Sequence, residues 1–140
     1  MKGYLLVRAG GQSYGLPVAR VLEVGDTTEV LNIPRKVPSV LGLTPLRGRL
    51  VPLVHLGAFL SGGDIPVAEG TAVRTVVLVE LGAGGKQVAF EVDDVDAVVR
   101  DQPLPVPRGG GQALPWASGV AERQDGLVPI LDLDALADRI

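Results

Sequence analysis

The chain has 140 residues, a formal net charge of −3, 46% hydrophobic and 4% aromatic residues, and no cysteine. Its size suits one domain with a sizeable core, and its acidic balance disfavours nucleic acid and anionic lipid as partners. Without cysteine, disulfides, thiolate catalysis and cysteine-bound metals are excluded. The apolar run from Tyr4 to Val7 is too short for a membrane span, so we expect a cytoplasmic protein without direct membrane insertion.

The first third of the chain predicts a hairpin followed by a short helix. The 19 glycines and 11 prolines favour short strands and tight turns over long helices. Pro17 suits the start of a helix that Gly25 would end, because apolar residues recur between them at helical spacing. These apolar residues are Val18, Val21 and Leu22. The flanking elements are strands 4–9 and 13–16 and an extended segment 29–33.

Residues 40–56 are the most informative stretch, because they read as two apolar strands around the compact turn Leu46-Arg47-Gly48-Arg49. Gly48 permits a positive φ at the bend, and the two arginines offer guanidinium groups where the chain reverses. Pro52 falls inside the second strand, which predicts an edge position or a bulge there. One helical turn, 56–60, follows.

The second half predicts further short strands and ends in a helix. A polar connector at 61–72 separates the halves, and residues 101–115 contain too many glycines and prolines to form an element. Leu133, Leu136, Ala137 and Ile140 share one face of a C-terminal helix that Asp132 or Asp134 can cap. We expect this helix to seal a barrel mouth. The predicted strands are 75–81, 87–92, 95–100, 116–122 and 127–133.

The sequence repeats itself at two offsets. The late offset carries Gly42 onto Gly119, and it also carries Val51, Pro52 and Leu56 onto Val128, Pro129 and Leu133. The early offset carries Gly10 onto Gly84, and it also carries Leu16, Val18, Val21 and Val24 onto Phe90, Val92, Val95 and Val98. Such similarity predicts two copies of one β unit, a duplicated small barrel whose halves share a core.

Motifs for catalysis or metal binding are incomplete. Gly84-Gly85-Lys86 lacks the flanking residues of a phosphate-binding loop, and the acidic run from Glu91 to Asp96 lacks the glycine of a calcium loop. His55 is the only histidine, so it has no second imidazole for a metal site. We therefore predict no catalytic residue, no cofactor and no metal. An enzyme would require a pocket with convergent polar groups.

A local basic cluster remains in this acidic chain. Arg35, Lys36, Arg47 and Arg49 form either a solvated rim or a patch for an acidic partner surface, and an arginine on a tight turn between apolar residues favours the patch. A small-barrel module that binds nucleic acid through the same cluster is the alternative hypothesis. Such a module would bind oligonucleotides in a salt-sensitive way.

The chain resembles the CheW-like coupling domain of bacterial chemotaxis over essentially its whole length. The motifs that carry the resemblance are Tyr14-Gly15-Leu16-Pro17, Val21-Leu22-Glu23-Val24, Gly42, Leu46-Arg47-Gly48, Val51-Pro52-Leu53-Val54, residues 88–99, and Gly119 with residues 128–133. Two positions depart from the family pattern. Pro45 stands where the family usually has Asn, and His55 stands where it usually has Asp.

The resemblance implies an all-β fold of two SH3-like five-stranded barrels with short helices, within one CheW-like domain spanning 1–140. It implies a non-enzymatic adaptor that couples chemoreceptors to the regulatory domain of the histidine kinase CheA and is recruited from the cytoplasm to membrane receptor arrays. The receptor-binding groove would fall on Val21, Glu23, Arg47 and Leu50. Gly42, Leu46 and Gly48 would support the turn and the interface.

Overall fold

The structure is a computed structural model that describes residues 3–32, 34, 38–62, 73–100, 104–105, 116–123 and 126–140. The predicted connector is therefore outside the described residues from 63 onward. The strands are β1 (Tyr4–Ala9), β2 (Gln12–Pro17), β3 (Val21–Thr27), β4 (Val40–Leu46), β5 (Arg49–His55), β6 (Arg74–Leu81), β7 (Lys86–Val92), β8 (Asp94–Val99), β9 (Leu104–Pro105), β10 (Ala117–Arg123) and β11 (Gly126–Leu131). The helices are α1 (Leu56–Ser61) and α2 (Leu133–Ala137), with a 3-10 turn at Val18–Arg20.

The strands form two sheets, which we call sheet A and sheet B. Sheet A has the order β8-β1-β2-β11-β10-β9, and sheet B has the order β3-β6-β7-β5-β4. Neighbours are antiparallel except at two places, where β11 runs parallel to β2 and β5 runs parallel to β7. Apart from the two-residue β9, each sheet has five strands. The all-β architecture of two five-stranded units with short helices, including one at the C-terminus, is confirmed.

The internal duplication is visible in the element boundaries. The early offset carries β2 onto β7 and β3 onto β8, and the late offset carries β4 onto β10, β5 onto β11 and α1 onto α2. The two copies exchange strands, however. Sheet A combines the β1–β2 hairpin of the first copy with strands of the second, and sheet B combines the β6–β7 hairpin of the second copy with strands of the first. Neither copy folds as a separate unit.

Both sheets curl on themselves. β8 and β9 lie at opposite ends of sheet A, which in a flat sheet would place them ~24 Å apart. The five residue steps from Val99 to Leu104 span at most ~18 Å, so sheet A must be rolled. In sheet B, the segment after β3 reaches β4 at the far edge, where Leu31 and Leu43 exchange backbone hydrogen bonds of 2.7 and 2.9 Å. Both closures give the sheets barrel-like curvature.

The largest hydrophobic core lies between the two sheets. It contains Val7 and Leu16 from sheet A and Val77 and Phe90 from sheet B, all fully buried. Each sheet also encloses a smaller cluster of its own, around Leu53 in sheet B and around Ile130 in sheet A. The expectation that the two halves share a core is confirmed, and the shared core fixes one sheet against the other.

Some local predictions are wrong. The helix expected from Pro17 is a single 3-10 turn, and β3 begins at Val21. The segment 101–115, which was expected to form no element because of its glycines and prolines, contains the short strand β9. Its other residues are not described. Helix α2 begins as expected after Asp132, but Leu133 and Leu136 pack into the core between the sheets and not across a barrel mouth.

Pro52 and its equivalent in the repeat, Pro129, lie in interior strands, so the edge position is wrong and the alternative of a bulge remains. The register irregularities nearest to the two prolines lie on the partner strands, between Val40 and Gly42 and between Ala117 and Gly119. β5 lies between β7 and β4, and its parallel pairing with β7 begins at Leu53, the residue after Pro52. β11 lies between β2 and β10, and its pair with β2 is at Ile130, the residue after Pro129. Each proline therefore stands where the strand has not yet paired on one side, so its missing N–H costs no ladder hydrogen bond there.

Candidate protein-interaction site

The predicted turn joins β4 to β5 as a two-residue hairpin loop. Leu46 pairs with Arg49, and the two residues between them, Arg47 and Gly48, have φ of 54° and 76°. Positive φ at both central positions defines a type I′ turn, whose twist matches that of the flanking strands. Arg47 is the only described residue other than glycine with positive φ. Its side chain is exposed at the tip of the hairpin.

The outer face of this hairpin is apolar. Pro45 pairs with Leu50, and Leu43 pairs with Pro52, so the four side chains share one face. Leu50 is 51% exposed and Pro45 is exposed, whereas Thr44, Leu46, Val51 and Leu53 on the inner face are buried. Leu31, which is bonded to Leu43, extends the exposed surface. We call Leu31, Leu43, Pro45, Leu50 and Pro52 the apolar strip.

The other two predicted groove residues lie on β3. Val21 is half-buried and packs against the core between the sheets. Glu23 is half-exposed, and its carboxylate lies 4.0 Å from where a Cβ on Gly25 would be. β3 and β4 are the two edge strands of sheet B, so the structure divides the predicted set into a β3 half and a hairpin half.

The three predicted supporting residues have different structural roles. A Cβ on Gly42 would collide with the carbonyl oxygen of Leu31, so glycine allows the segment after β3 to approach β4. Gly48 has open space around it and is needed for its positive φ. Leu46 is buried in the small core of sheet B. All three residues therefore shape the hairpin and its contact with the segment after β3.

A buried hydroxyl pair links the two halves of the predicted set. The Oγ1 atoms of Thr27, at the end of β3, and Thr44, on β4, are 2.7 Å apart. The Thr44 hydroxyl donates to the carbonyl oxygen of Glu29 at 2.7 Å. The exposed fractions are 0% for Thr44 and 8% for Thr27. Sequence reasoning missed this pair, although Thr44 and Leu46 alternate with Pro45 on β4, and an inward-facing hydroxyl needs a hydrogen-bond partner.

The basic cluster is described only in part. Arg47 and Arg49 flank Gly48 and are exposed, and neither has an ion-pair partner among the residues that the structure describes. Arg35 and Lys36 lie outside the described residues. The apolar strip therefore has two cationic side chains at its turn end that make no ion pair within the described ranges.

The other polar residues examined in the sequence have structural roles. His55 accepts a hydrogen bond from the Ala58 amide at 3.0 Å and caps α1. Glu91 pairs with Arg74 at 2.7 Å, and Asp93 accepts from the Gly10 amide at 2.9 Å. Within the described part of the chain, no three acidic or imidazole side chains group as metal ligands do.

A cavity of about 730 Å³ lies on sheet A, away from the predicted residues. Its wall includes Leu6, Arg8, Asp96, Glu122, Arg123 and Leu127. The early offset relates Asp96 to Leu22, and the late offset relates Arg123 to Leu46; both leucines pack in the small core of sheet B. Equivalent positions are thus occupied by leucines in the small core of sheet B and by charged residues in the wall of the cavity on sheet A.

Two exposed apolar residues on sheet A are equivalent, through the sequence repeat, to exposed apolar residues on sheet B. The exposed Val24 and Leu50 correspond to Val98 and Leu127, which are exposed as well. The sequence repeat contained this signal, but only the outward orientation of the side chains reveals it. None of the helices in the described ranges has the length and apolar character needed to cross a bilayer.

The comparisons with known proteins agree on one family. The family model of the CheW-like domain matches residues 3–140. The chain is 32% identical over 123 residues to Protein FrzA of Myxococcus xanthus, covering 85% of this chain and 73% of that protein. It is 24% identical over 137 residues to the chemotaxis protein CheW of Klebsiella aerogenes, covering 95% of this chain and 80% of that protein.

The fold is also similar to a solved structure. The crystal structure of the scaffolding protein TtCheW from Thermoanaerobacter tengcongensis matches with a TM-score of 0.78 at 22% identity, covering 96% of this chain and 91% of that one. The family model spans both sheets, including the hairpin with Arg47 and the closure at Leu31. The chain belongs to the CheW-like domain family.

Proposed function

We propose that the chain is a non-enzymatic adaptor that couples chemoreceptors to the histidine kinase CheA in chemotaxis-type signal transduction. The receptor tip would bind to sheet B through Val21, Glu23, Arg47 and Leu50. The kinase would bind through its regulatory domain. The adaptor would work in the cytoplasm and be recruited to membrane receptor arrays through these two contacts.

The apolar strip beside Arg47 is the observation that carries the proposal. Leu50 is 51% exposed beside an exposed Pro45, and apolar surface next to an arginine matches the composition of protein interfaces, in which arginine is enriched. A helical partner would bury its apolar positions on the strip and place acidic side chains near Arg47 and Arg49. A surface of this kind binds a partner without performing chemistry.

The test is formation of a ternary complex from the purified chain, the CheA regulatory domain and a chemoreceptor signalling fragment. Arg47→Ala removes the guanidinium without changing the turn strain, because alanine also has a Cβ at this positive φ. We expect this variant to weaken receptor binding about tenfold, as for a typical interface anchor. Arg100→Ala, an exposed arginine just after β8, is the matched control and should bind normally.

Two outcomes would oppose the proposal. Absence of any complex with the wild-type chain would remove the adaptor function. Equal receptor binding by the Arg47 and Arg100 variants would remove the assigned site. A generic oligonucleotide at low salt tests the alternative of a nucleic-acid module, and we expect it not to bind this acidic chain.

A further inference from the structure

The two halves of the proposed receptor site lie at opposite edges of one sheet. Val21 and Glu23 are on β3, and Arg47 and Leu50 are on the β4–β5 hairpin. In the order β3-β6-β7-β5-β4, two strands separate β3 from the hairpin. Sheets vary in twist and curl. The hydrogen bonds that link β3 to the hairpin through the two intervening strands therefore do not by themselves fix the distance between the two halves of the site.

The buried threonines connect the halves directly. Thr27 ends β3, the strand of Val21 and Glu23, and Thr44 lies on β4, just before the turn with Arg47. Their Oγ1 atoms are 2.7 Å apart, and Thr44 Oγ1 is 2.7 Å from the Glu29 carbonyl oxygen. The Glu29 amide lies 3.3 Å from Thr27 Oγ1. We call Thr27, Thr44 and the backbone of Glu29 the threonine latch.

Both threonine hydroxyls lie near the Glu29 carbonyl oxygen, Thr44 Oγ1 at 2.7 Å and Thr27 Oγ1 at 3.4 Å, and the shorter distance favours one arrangement of the hydrogen bonds. A threonine hydroxyl has a single proton, and the Thr44 proton is used on the Glu29 carbonyl. Thr44 Oγ1 must then accept the proton of Thr27, whose oxygen accepts from the Glu29 amide. Three donors and three acceptors close a cycle that is buried at the two hydroxyls and partly buried at Glu29, and such networks favour one specific geometry.

Sheet A shows that closure of the fold does not require this network. The late offset relates Thr44 to Ala121, which has no hydroxyl and packs in the small apolar core of sheet A. The equivalent closure there is the backbone pairing of β9 with β10. The corresponding backbone pair in sheet B, Leu31 with Leu43, is also present. The latch is therefore an addition to sheet B, the sheet with the proposed receptor site.

We propose that the threonine latch is a positioning device that sets the spacing between the β3 half and the hairpin half of the receptor site. This inference rests on the proposed function, because it assumes that both halves contact one receptor. A preset spacing lowers the ordering cost of binding, so loss of the latch weakens affinity without removing any contact residue.

The spacing can be measured directly because the chain has no native cysteine. Spin labels on Val24→Cys and Leu50→Cys, both exposed positions, report the distance across the site. The equivalent pair on sheet A, Val98→Cys and Leu127→Cys, is the matched control. We expect Thr44→Val to broaden the first distance distribution and leave the second unchanged. An unchanged first distribution would overturn the proposal.

Binding to the chemoreceptor fragment tests the consequence in unlabelled protein. We expect Thr44→Val to weaken binding about fivefold, and Thr44→Ser, which keeps the hydroxyl, to restore it. Thr27→Val provides a second variant, since it leaves the Thr44 bond to Glu29 intact. Val128→Ala, a buried position in sheet A, controls for general loss of stability and should bind like the wild type.

The outcomes separate the latch from the site. If Arg47→Ala loses receptor binding while both threonine variants keep it, the latch proposal fails and the receptor site stands. If Arg47→Ala keeps receptor binding, the receptor site fails, and the positioning proposal fails with it. Weaker binding in Thr44→Val that Thr44→Ser does not restore would also overturn the latch, because the hydroxyl would then not be the cause.

Discussion

Arg47 and Gly48 occupy the two central positions of the β4–β5 turn, and both have positive φ, 54° and 76°. A type I′ turn favours Asn-Gly at these positions, and an L-residue with a long side chain pays about 1 kcal/mol to adopt positive φ. Strain of this kind persists where function selects the side chain. The turn therefore combines a glycine that suits the fold with an arginine that does not, and the proposed receptor contact gives a reason for that arginine.

The first prediction concerns Arg47→Asn. Asparagine tolerates positive φ, so we expect the free energy of unfolding in urea to rise by about 0.5–1 kcal/mol. Receptor-fragment binding should weaken about tenfold, because the guanidinium is lost. Opposite changes in stability and affinity would separate a binding residue from a structural one. A less stable variant with unchanged affinity would contradict this view of the turn.

The second prediction compares Leu50→Asp with Leu127→Asp. Both leucines are exposed and occupy equivalent positions in the two copies, so either change should alter stability by less than about 0.5 kcal/mol. Only Leu50→Asp should weaken receptor binding, measured by titration calorimetry, because it places a carboxylate in the apolar strip. Equal effects of the two substitutions would argue against assigning the receptor to sheet B.

The third prediction concerns helix capping by His55. Its Nδ1 accepts from the Ala58 amide at 3.0 Å, and its equivalent, Asp132, accepts from the Asp134 and Ala135 amides at 3.1 Å each. We expect His55→Ala to cost about 1 kcal/mol of unfolding free energy, and His55→Asp to retain most of it. If both variants were equally destabilised, the imidazole would be stabilising the fold by packing and not by capping.

The fourth prediction concerns alkaline pH. Burial raises the pKa of the Tyr14 phenol above its usual value, because desolvation disfavours the phenolate. A raised pKa in the folded state gives a stability contribution that is complete below the unfolded pKa and is lost as the pH rises through the folded pKa. Unfolding free energies above about pH 9 should therefore fall less steeply in Tyr14→Phe than in the wild type. Parallel pH profiles would show that the phenol does not ionise differently in the two states.

The repeat made most strand positions predictable, because two weak patterns at fixed offsets support each other. It did not predict which hairpin joins which sheet. The β1–β2 hairpin could pair with β3 of its own copy or with β8, the equivalent strand of the other copy. Because β3 and β8 are equivalent in the repeat, the local sequence does not decide between them, and the exchange depends on the shared core. The parallel pairing of β5 with β7 likewise depends on tertiary packing.

Two errors have identifiable physical causes. The helix expected after Pro17 failed because β3 has a register irregularity between Val21 and Glu23, which breaks the alternation of a strand and imitates helical spacing. The latch was not predicted because Thr27 and Thr44 lie on different strands and meet only when the sheet curls. The turn at Arg47 was predictable, since its signal is local.

Receptor-dependent autophosphorylation of CheA tests the adaptor account most directly. Purified CheA and membranes with chemoreceptor should show low kinase activity alone, rise when the wild-type chain is added, and rise far less with Arg47→Ala. The Arg100→Ala control should stimulate the kinase like the wild type. Kinase activity that does not depend on the added chain, in membranes that contain receptor and CheA from the same genome, would contradict the account.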